Sequence, residues 1–486
     1  MLKRLICCVT AFVMLSSIFL ATNVFGEKDL KDFSSVTYGD LNQDGVVNST
    51  DYILLRRYVL GVIDEFPSEI AEIAADLNGD GVINSTDCVL LRRYILNMID
   101  RFPVEENNEI IDEGISEGFI SGNRQFAFDI FKHISNEDHD KNIFISPFNI
   151  SVALSMVNQG AGSETKDQLK RTLGFEGLRD SEVNQSYKYL LNYLNQFDQK
   201  IKINNSNSIW NNTLWIDRIN ENFISVNQDI FNAWVALRDF SDEDGVLDEI
   251  NNWISEATEG LIEKLLSSID EEDITYILTA IYFKGMWEEE FKVENTIETD
   301  FYMDDGNSKK VMMMKKTGSM DFVEGDGYKA VRVPYGNGEV AMYCILPDEG
   351  TSINDFIGDI DVAKWSEIKN RMRKQRVSLE LPRFEIEYGG KDLKDSLVAL
   401  GVEKAFNEYD ADFPEFSVDG AHISSVVHKA VVKVNEEGTV AAGYTVIGVS
   451  PPGFIETDEF VANRPFMFVI ADEKYDTILF MGKYSN

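Results

Sequence analysis

The chain has 486 residues, of which 44% are hydrophobic and 11% aromatic, and its formal net charge is −38. This hydrophobic content excludes wholesale disorder, and the length predicts two or more folding units because single cores usually stop growing near ~250–300 residues. The strong negative charge argues against nucleic acid and anionic membrane surfaces as partners, and it is compatible with cation binding.

The first 26 residues have the composition of an export signal. Lys3 and Arg4 form a basic start, an apolar run extends from Leu5 to Leu20, and a cleavable segment ends at Gly26. We therefore expect a signal peptide over 1–26 and a secreted, extracellular protein. A retained membrane anchor is the alternative, although no basic stop signal follows the run and no later stretch has the composition of a membrane span.

Cysteine usage argues against a disulfide framework. Cys7 and Cys8 leave with the signal, and the remaining Cys88 and Cys344 are far apart in the sequence. We expect both to be buried thiols.

Residues 39–61 and 75–97 are two copies of one segment, GDLNQDGVVNSTDYILLRRYVLG and ADLNGDGVINSTDCVLLRRYILN. A repeated segment predicts a repeated structure. Each copy continues into a stretch with the apolar spacing of a helix, whereas no helix-forming stretch precedes the first loop. The pattern predicts a loop-helix duplicate and not a helix-loop-helix EF-hand.

Both copies place oxygen-bearing residues where a calcium loop needs them. Calcium takes about 6–8 oxygen ligands, and Gly45 and Gly81 permit the sharp turn of such a loop. The predicted ligands, which include two backbone carbonyls, are Asp40, Asn42, Asp44, Val46, Asn48, Asp51, Asp76, Asn78, Asp80, Val82, Asn84 and Asp87. We expect two calcium ions, and the alternative is a pair of polar turns without metal.

Residues 36–103, which contain these loops, resemble a type I dockerin, the small all-α calcium-binding module by which secreted bacterial enzymes bind cohesin modules of a cellulosome scaffold. The resemblance implies a cohesin partner. In that family the pair after the ninth loop position helps to recognise cohesin, and here it is Ser49 with Thr50 and Ser85 with Thr86. Their near identity implies docking in two orientations, while helix N-capping is the alternative role.

An acidic segment over 104–118 follows, and its composition predicts an extended linker. Residues 119–486 form the second predicted domain. There, amphipathic helical patterns mix with strand patterns without regular alternation, which favours an α+β fold with a large mixed or antiparallel sheet.

Catalytic motifs are scarce in this second domain. The chain has four histidines, and it contains no G-x-S-x-G, H-E-x-x-H or phosphate-loop motif. A glycoside hydrolase needs only two carboxylates, which 83 acidic residues cannot exclude, so it stays an alternative.

Long segments of this domain carry a more specific pattern. They include KNIFISPFNISVALSMVNQGAGSETKDQLKRTLGF, LTAIYFKGMWEEEFKVENTIETDFY, LPRFEIEY, HKAVVKVNEEGTVAAGY and NRPFMFVIADEKYDTILFMGKYSN. In this order they are similar to the signature stretches of serpins, the serine protease inhibitors, over residues 121–486. The resemblance implies a serpin fold, with a large mixed sheet, helices and a mobile reactive-centre loop, and an inhibitor that is not an enzyme.

In serpins a protease cleaves the exposed loop, whose hinge side then enters the main sheet as a new strand and carries the acyl-enzyme with it. The resemblance implies a suicide inhibitor that protects a cellulosome from proteolysis. The hinge residues it assigns are Glu436, Glu437, Gly438, Thr439, Val440, Ala441, Ala442 and Gly443. Val440 and Tyr444 depart from the family pattern, which leaves a non-inhibitory serpin-fold protein as an alternative.

Side-chain size along the hinge supports insertion independently. In a central strand, alternate side chains must be small enough to face the helices behind the sheet. Thr439, Ala441, Gly443 and Thr445 form that row, and Gly438 suits a hinge because glycine tolerates unusual backbone angles.

The reactive bond is placed by family spacing. Counting forward from Gly438 gives Pro452-Gly453, and counting back from Asn463 gives Phe454-Ile455. We favour Phe454 because few serine proteases accept proline before the cut. Phenylalanine there predicts a target with a large apolar pocket, subtilisin-like or chymotrypsin-like.

Three further residues match family positions around the main sheet. Ser146 and His428 match the shutter beneath the sheet, and Trp287 matches the breach at its top. Asn149 and Thr279 replace the serine and asparagine that are usual in the shutter. Ordinary core packing is the alternative role of these side chains.

Overall fold

A computed structural model describes residues 37–486, except 61, 64–65, 69–70, 72–73, 76, 78–82, 96–98, 100–101, 103–114, 198–199, 217, 418–419 and 440–456. The chain divides into two compact units between Asp112 and Glu113. Among the described residues, no helix combines the length and the apolar character needed to cross a bilayer.

The described part of the small unit contains two equivalent loop-helix segments. Its helices α1 (Ser49–Val59) and α2 (Ser85–Ile95) each follow one of the repeated loops. Leu55 and Leu91 occupy equivalent positions, and both are fully buried in one shared core. This arrangement agrees with the predicted loop-helix duplicate.

The large unit contains helices and two sheets. Its described helices are α3 (Glu117–Glu137), α4 (Pro147–Asn158), α5 (Ser163–Thr172), α6 (Asp180–Leu194), α7 (Glu221–Phe231), α8 (Glu243–Ala257), α9 (Ile353–Asp359), α10 (Val362–Arg371) and α11 (Lys394–Ala399). Short 3-10 turns cover Val293–Asn295 and Lys404–Phe406. Its strands are not interleaved regularly with these helices, which confirms the α+β prediction.

The strands fall into a six-stranded and a nine-stranded sheet. They are β1 (Ile143–Ile145), β2 (Ile201–Asn212), β3 (Trp234–Arg238), β4 (Thr275–Met286), β5 (Ile297–Tyr302), β6 (Ser308–Glu324), β7 (Tyr328–Tyr335), β8 (Val340–Pro347), β9 (Arg373–Pro382), β10 (Phe384–Asp392), β11 (Ser425–Val434), β12 (Gly438–Thr439), β13 (Asp458–Val461), β14 (Phe466–Asp472) and β15 (Ile478–Tyr484). The smaller sheet has the order β10-β11-β12-β4-β2-β3. The larger has the order β1-β15-β14-β8-β7-β6-β9-β13, with β5 on β6.

The six-stranded sheet is buried on both faces, because the side chains of β4 point alternately into two different apolar clusters. Ile277 and Ile281 belong to the main core, whereas Leu278 and Ala280 belong to a second cluster together with Ile250 of α8. Because successive strand residues point to opposite faces, both faces of this strand must be apolar. Helix α8 therefore covers one face and the main core covers the other.

Strands β11 and β4 run parallel and pair directly from Ser425 with Tyr276 to Val431 with Tyr282. Beyond that point the short strand β12 lies between them, antiparallel to both. The shared edge of β11 and β4 is called the seam below. The two strands pair directly along one part of the seam and are separated by β12 along the other part.

Both cysteines of the described chain are free thiols. Cys344 is fully buried, as predicted, and burial raises the pKa of its thiol. Cys88 is only half-buried, so the prediction of a buried thiol is wrong at this position.

Candidate functional site

The chain turns sharply between β11 and β12. The side-chain Oδ1 of Asn435 accepts hydrogen bonds from the amides of Glu437 (3.0 Å) and Gly438 (3.2 Å). Gly438 has a φ of +151°, and a Cβ there would lie 2.1 Å from the carbonyl oxygen of Gly285. Only glycine fits this position, so the predicted hinge glycine is required by close backbone contact with β4.

Glu436 is the buried acid of this turn, with 4% of its surface exposed. Its Oε1 accepts hydrogen bonds from Arg383 Nη2 (2.6 Å) and from Thr296 Oγ1 (2.6 Å). Burial opposes ionisation, but the hydrogen bonds from Arg383 and Thr296 outweigh it and lower the pKa of the Glu436 carboxyl. The carboxylate therefore ties the turn to the connection between β9 and β10 and to the segment before β5.

Trp287 holds the same turn from the other side. Its Nε1 donates to the carbonyl of Asn435 (2.9 Å), and its backbone amide donates to the carbonyl of Glu437 (2.9 Å). The indole is buried and stacks on Tyr335, with ring centroids 4.4 Å apart.

Thr439 is the last described residue of β12, and it is fully buried. It pairs with Val434 on one side and with Gly285 on the other. Its hydroxyl lies 2.9 Å from the hydroxyl of Tyr335. The first member of the predicted inward row therefore already faces the core, paired on both sides.

Ser146 and His428 meet beneath the sheet, 282 residues apart in the sequence. The backbone amide of Ser146 donates to His428 Nε2 (3.0 Å), and the Ser146 hydroxyl donates to the carbonyl of Leu479 (2.7 Å). Since Nε2 accepts, the neutral ring carries its proton on Nδ1. Burial lowers the pKa of His428 to about 3.

Unsatisfied polar atoms cluster at this seam. His428 and Thr279 are register partners on β11 and β4. The Nδ1 of His428, the Oγ1 of Thr279 and both amide atoms of Asn149 are buried without a hydrogen-bond partner among the described residues. Each such group costs roughly 1–3 kcal/mol relative to a hydrogen-bonded one.

The first predicted calcium loop is organised around Asp51, which is fully buried. Its carboxylate accepts hydrogen bonds from the amides of Leu41 (2.9 Å) and Asn48 (2.9 Å), while Asp40 accepts from Gly45 (2.9 Å). The described residues contain no group of three or more His, Cys, Asp or Glu side chains poised to hold a metal. The loop instead combines carboxylate, amide and carbonyl oxygens, a donor set that fits a hard cation such as calcium.

The described part of the second loop repeats this arrangement. Asp87 is fully buried and accepts from the amides of Leu77 (2.8 Å) and Asn84 (2.8 Å). Equivalent aspartates therefore organise both loops. The other predicted ligands of this loop lie outside the described residues and are Asp76, Asn78, Asp80 and Val82.

Asn48, and not the following pair, caps helix α1. Its side chain accepts from the amide of Thr50 (2.8 Å), and Asp51 completes a capping box. Ser49 and Thr50 are left exposed, as is Thr86 on α2, so the cap leaves their hydroxyls available.

Several predicted site residues lie outside the described part of the chain. They are Val440, Ala441, Ala442, Gly443, Pro452, Gly453, Phe454 and Ile455. The hinge from Glu436 to Thr439 is described, and so are Ser146, His428 and Trp287.

Sequence reasoning missed four side chains that hold the hinge, namely Arg383, Thr296, Asn435 and Tyr335. Arg383 lies within one of the segments that resemble the family, but nothing in its local spacing points to a partner 53 residues away. Tertiary contacts bring Arg383, Thr296 and Tyr335 to the turn, whereas Asn435 is part of the turn itself.

Comparison with known proteins identifies both units. The family model described as serpin (serine protease inhibitor) matches residues 121–486, and the model of the dockerin type I domain matches residues 38–96.

Individual relatives agree with the larger match. The chain is 31% identical over 381 residues to the leukocyte elastase inhibitor of Xenopus laevis, covering 76% of this chain and all of that protein. It is 30% identical over 389 residues to an uncharacterized serpin-like protein of Thermococcus kodakarensis, covering 78% of this chain and 88% of that one. The crystal structure of the thermophilic serpin tengpin in its native state superposes with a TM-score of 0.72 at 28% identity, over 78% of this chain and 96% of that one. The chain therefore belongs to the serpin family and carries an N-terminal type I dockerin domain.

Proposed function

We propose that this protein is a secreted suicide inhibitor of serine proteases, bound through its dockerin to a cohesin module of a cellulosome scaffold. The observation that carries the inhibitory part is the position of Gly438 and Thr439 between β11 and β4. A hinge that has already entered the sheet is the starting point for inserting the rest of the loop.

Insertion extends β12 along a seam that is now closed. The loop must separate β11 from β4 between Ser425 and Val431, and it then pairs with both strands. From Glu436 to Phe454 an extended strand spans roughly 60 Å, since a strand rises ~3.3 Å per residue. About ten new ladder hydrogen bonds would contribute ~5–15 kcal/mol, which supports a loop that inserts once cleavage frees it.

The unpaired polar atoms between β11 and β4 favour this transition. Opening the pair of β11 and β4 moves His428 away from Thr279 and gives their unsatisfied polar atoms access to the new strand. The row that would face these groups consists of Thr439, Ala441, Gly443 and Thr445, all small enough to enter.

The target is proposed to be a subtilisin-like or chymotrypsin-like serine protease. Phe454 would fill its specificity pocket, with cleavage between Phe454 and Ile455 and with Pro452-Gly453 as the alternative bond. The protease serine forms an ester with the carbonyl carbon of Phe454 and releases the amino group of Ile455. The nucleophile and the oxyanion hole belong to the protease, and this chain supplies the loop that is cleaved.

The dockerin is proposed to bind two calcium ions through the twelve residues predicted for the two loops. Calcium would neutralise the buried charge of Asp51 and Asp87, which accept only backbone hydrogen bonds among the described residues.

The cohesin surface is proposed to be duplicated on the two helices. Thr50 and Ile53 are exposed on α1, and Thr86 and Val89 occupy the equivalent exposed positions on α2. Ile53 and Val89 are each 56% exposed. Two equivalent surfaces support docking in two orientations, with Ser49 and Ser85 beside them.

Inhibition is tested by mixing the full-length protein with a subtilisin-like and with a chymotrypsin-like protease, followed by denaturing electrophoresis and mass spectrometry of the released peptide. We expect a complex that survives denaturation and a peptide that begins at Ile455. Cleavage without a complex, with the protease fully active, would identify a substrate and overturn the inhibitor proposal.

Docking is tested by measuring cohesin binding to Thr50→Arg, Thr86→Arg and the double variant. With two equivalent surfaces, each single variant should bind within about twofold of the wild type because one orientation remains. The double variant should not bind. Loss of binding in one single variant alone would rule out the two-orientation model.

A further inference from the structure

A run of basic residues leads from α10 into β9. Between Glu367 and Glu380 the chain has no acidic residue, although acidic residues outnumber basic ones by 83 to 45 in the whole sequence. Three cations at the start of β9 are exposed, and we call them the basic patch: Arg373, Lys374 and Arg376. The patch is a local departure from the acidic character of the chain.

No ion pair among the described residues neutralises the basic patch. Arg373 donates to two backbone carbonyls (2.6 and 2.7 Å), which are neutral acceptors. Asp321 lies opposite Lys374 in the register of β6 and β9, but its carboxylate pairs with Arg332 (3.5 Å).

Basic residues of the neighbouring strand β6 behave differently. Lys310 pairs with Asp300 (2.9 Å), and Lys315 pairs with Glu380 (2.8 Å). Their charges are used within the fold, whereas those of the basic patch remain available to a partner.

The patch lies at one end of the pair of strands β9 and β13. These strands are parallel, and Val377 pairs with Asp458. The residues before Val377 and the residues before Asp458 therefore leave the paired region at the same end. The basic patch lies within the four positions before Val377, and the proposed reactive bond lies three to four positions before Asp458.

Chain length limits the distance between the reactive bond and the patch. Consecutive Cα atoms are ~3.8 Å apart, so the Cα of Ile455 lies within ~11 Å of the Cα of Asp458 whatever path the chain takes. A protease domain of about 270 residues is ~45 Å across. A protease bound at this bond is therefore large enough to contact the basic patch.

The extent of the patch favours a protein partner over a polysaccharide chain. Four strand residues span ~10 Å, since a strand rises ~3.3 Å per residue. Asp458 and the exposed Glu459 of β13 lie at the Val377 end, so the row of cations stops at Arg376. A row this short matches a local contact at the polar rim of a protein interface, whereas a long anionic polysaccharide needs a longer row.

We infer that the basic patch is an accessory contact for the target protease, an inference that rests on the inhibitory function proposed above. Arg373, Lys374 and Arg376 attract an acidic surface that lies beside the active site of that protease. On a chain with a net charge of −38, this contact offsets the repulsion that an acidic protease otherwise meets. The patch thereby favours acidic proteases among those whose pocket accepts the cleaved residue.

The test measures binding of the full-length protein to an acidic subtilisin-like protease whose catalytic serine is replaced by alanine. This probe docks on the loop without forming an acyl-enzyme, so it reports contact and not trapping. Surface plasmon resonance gives the association rate constant and the Kd. We expect the double variant Lys374→Gln with Arg376→Gln to bind about tenfold more weakly, mainly through slower association. The difference should disappear in about 0.5 M NaCl.

A matched double variant controls for net charge. Lys188→Gln with Lys264→Gln removes the same charge from two exposed lysines elsewhere on the large unit, and it should bind within about twofold of the wild type. Equal losses in the two double variants, or equal binding of the patch variant and the wild type, would overturn the inference. If the patch changed retention on immobilised polygalacturonate but not protease binding, the partner would be an anionic polysaccharide instead.

The active protease separates this inference from the inhibitory function. A complex that survives denaturation, together with unchanged docking of the patch variant, would refute the accessory contact alone. Docking that depends on the patch, without such a complex, would refute the inhibitor and leave the accessory contact in place.

Discussion

Arg383 Nη2 lies 2.6 Å from Oε1 of Glu436, and this contact fastens the turn between β11 and β12. Neither residue lies in a strand: Arg383 lies between β9 and β10, and Glu436 lies between β11 and β12. The turn is therefore held by a charge-assisted hydrogen bond across the sheet edge and not only by its own backbone.

Glu436→Lys should release this turn. The variant places an ammonium beside Arg383 and removes the hydrogen-bond acceptor of Thr296. It should lower the free energy of unfolding by ~1–3 kcal/mol. The effect is limited to this range because Arg383 is partly exposed to solvent. Urea unfolding followed by tryptophan fluorescence measures this, since all six tryptophans belong to the large unit. Glu437→Lys makes the same charge change in the same turn and should be nearly neutral. An equal decrease in the free energy of unfolding in both variants would show that the contact between Glu436 and Arg383 does not stabilise the fold.

Thr439→Arg should convert an inhibitor into a substrate. Thr439 is fully buried between two strands, so a long charged side chain there opposes insertion. We expect the loop to be cleaved while the denaturation-resistant complex disappears on gels. Val440→Arg, on the predicted outward row, is the control and should keep the complex. An unchanged yield of complex with Thr439→Arg would contradict the insertion mechanism.

Phe454→Asp should abolish inhibition of subtilisin-like and chymotrypsin-like proteases, because a carboxylate cannot enter an apolar pocket without a large desolvation cost. The measurement is residual protease activity after incubation with the inhibitor. Pro452→Ala, at the alternative bond, should keep inhibition. Unchanged inhibition by Phe454→Asp would refute this placement of the reactive bond.

His428 should make the large unit sensitive to acid. Burial lowers the pKa of this ring from 6.5 to about 3, so the folded state keeps it neutral while the unfolded chain takes up a proton below pH 6.5. Above pH 6.5 both states keep the ring neutral, and its ionisation does not reduce the free energy of unfolding. As the pH falls from 6.5 toward 3, the free energy of unfolding decreases by up to ~1.4 kcal/mol per pH unit.

The measurement for His428 is the difference in unfolding free energy between wild type and His428→Gln at several pH values. Glutamine can still accept from the amide of Ser146 but does not titrate, and all other titrating groups are common to both proteins. Wild type should lose stability relative to the variant as the pH falls. Parallel curves between pH 6.5 and 4 would contradict the argument.

Calcium removal should unfold only the small unit. Chelation is expected to abolish cohesin binding and to reduce the helical circular-dichroism signal, while tryptophan fluorescence stays constant because the small unit has no tryptophan. Asp51→Ala should remove calcium binding at the first loop, and Asp410→Ala, exposed in the large unit, should not. Cohesin binding that persists in excess chelator would refute the calcium proposal.

Much of the site was predictable because it depends on local spacing. The 36-residue repeat places Asp51 and Asp87 at equivalent loop positions, and both prove to be buried acceptors of loop amides. The hinge glycine was predictable from its backbone freedom. The cap of α1 was not, because Asn48, Ser49 and Thr50 are all plausible caps and only the backbone angles select Asn48.

The two loop-helix repeats and the alternating small side chains of the hinge follow from the amino-acid order alone, because each depends on periodicity over a few residues. Which distant groups meet depends on the folded chain: Arg383 with Glu436, Ser146 with His428, and Tyr335 with Thr439 across 104 residues. These pairs follow from sheet register and strand order, which no local pattern encodes. The same register places Gly438 and Thr439 inside the sheet while the rest of the seam stays closed.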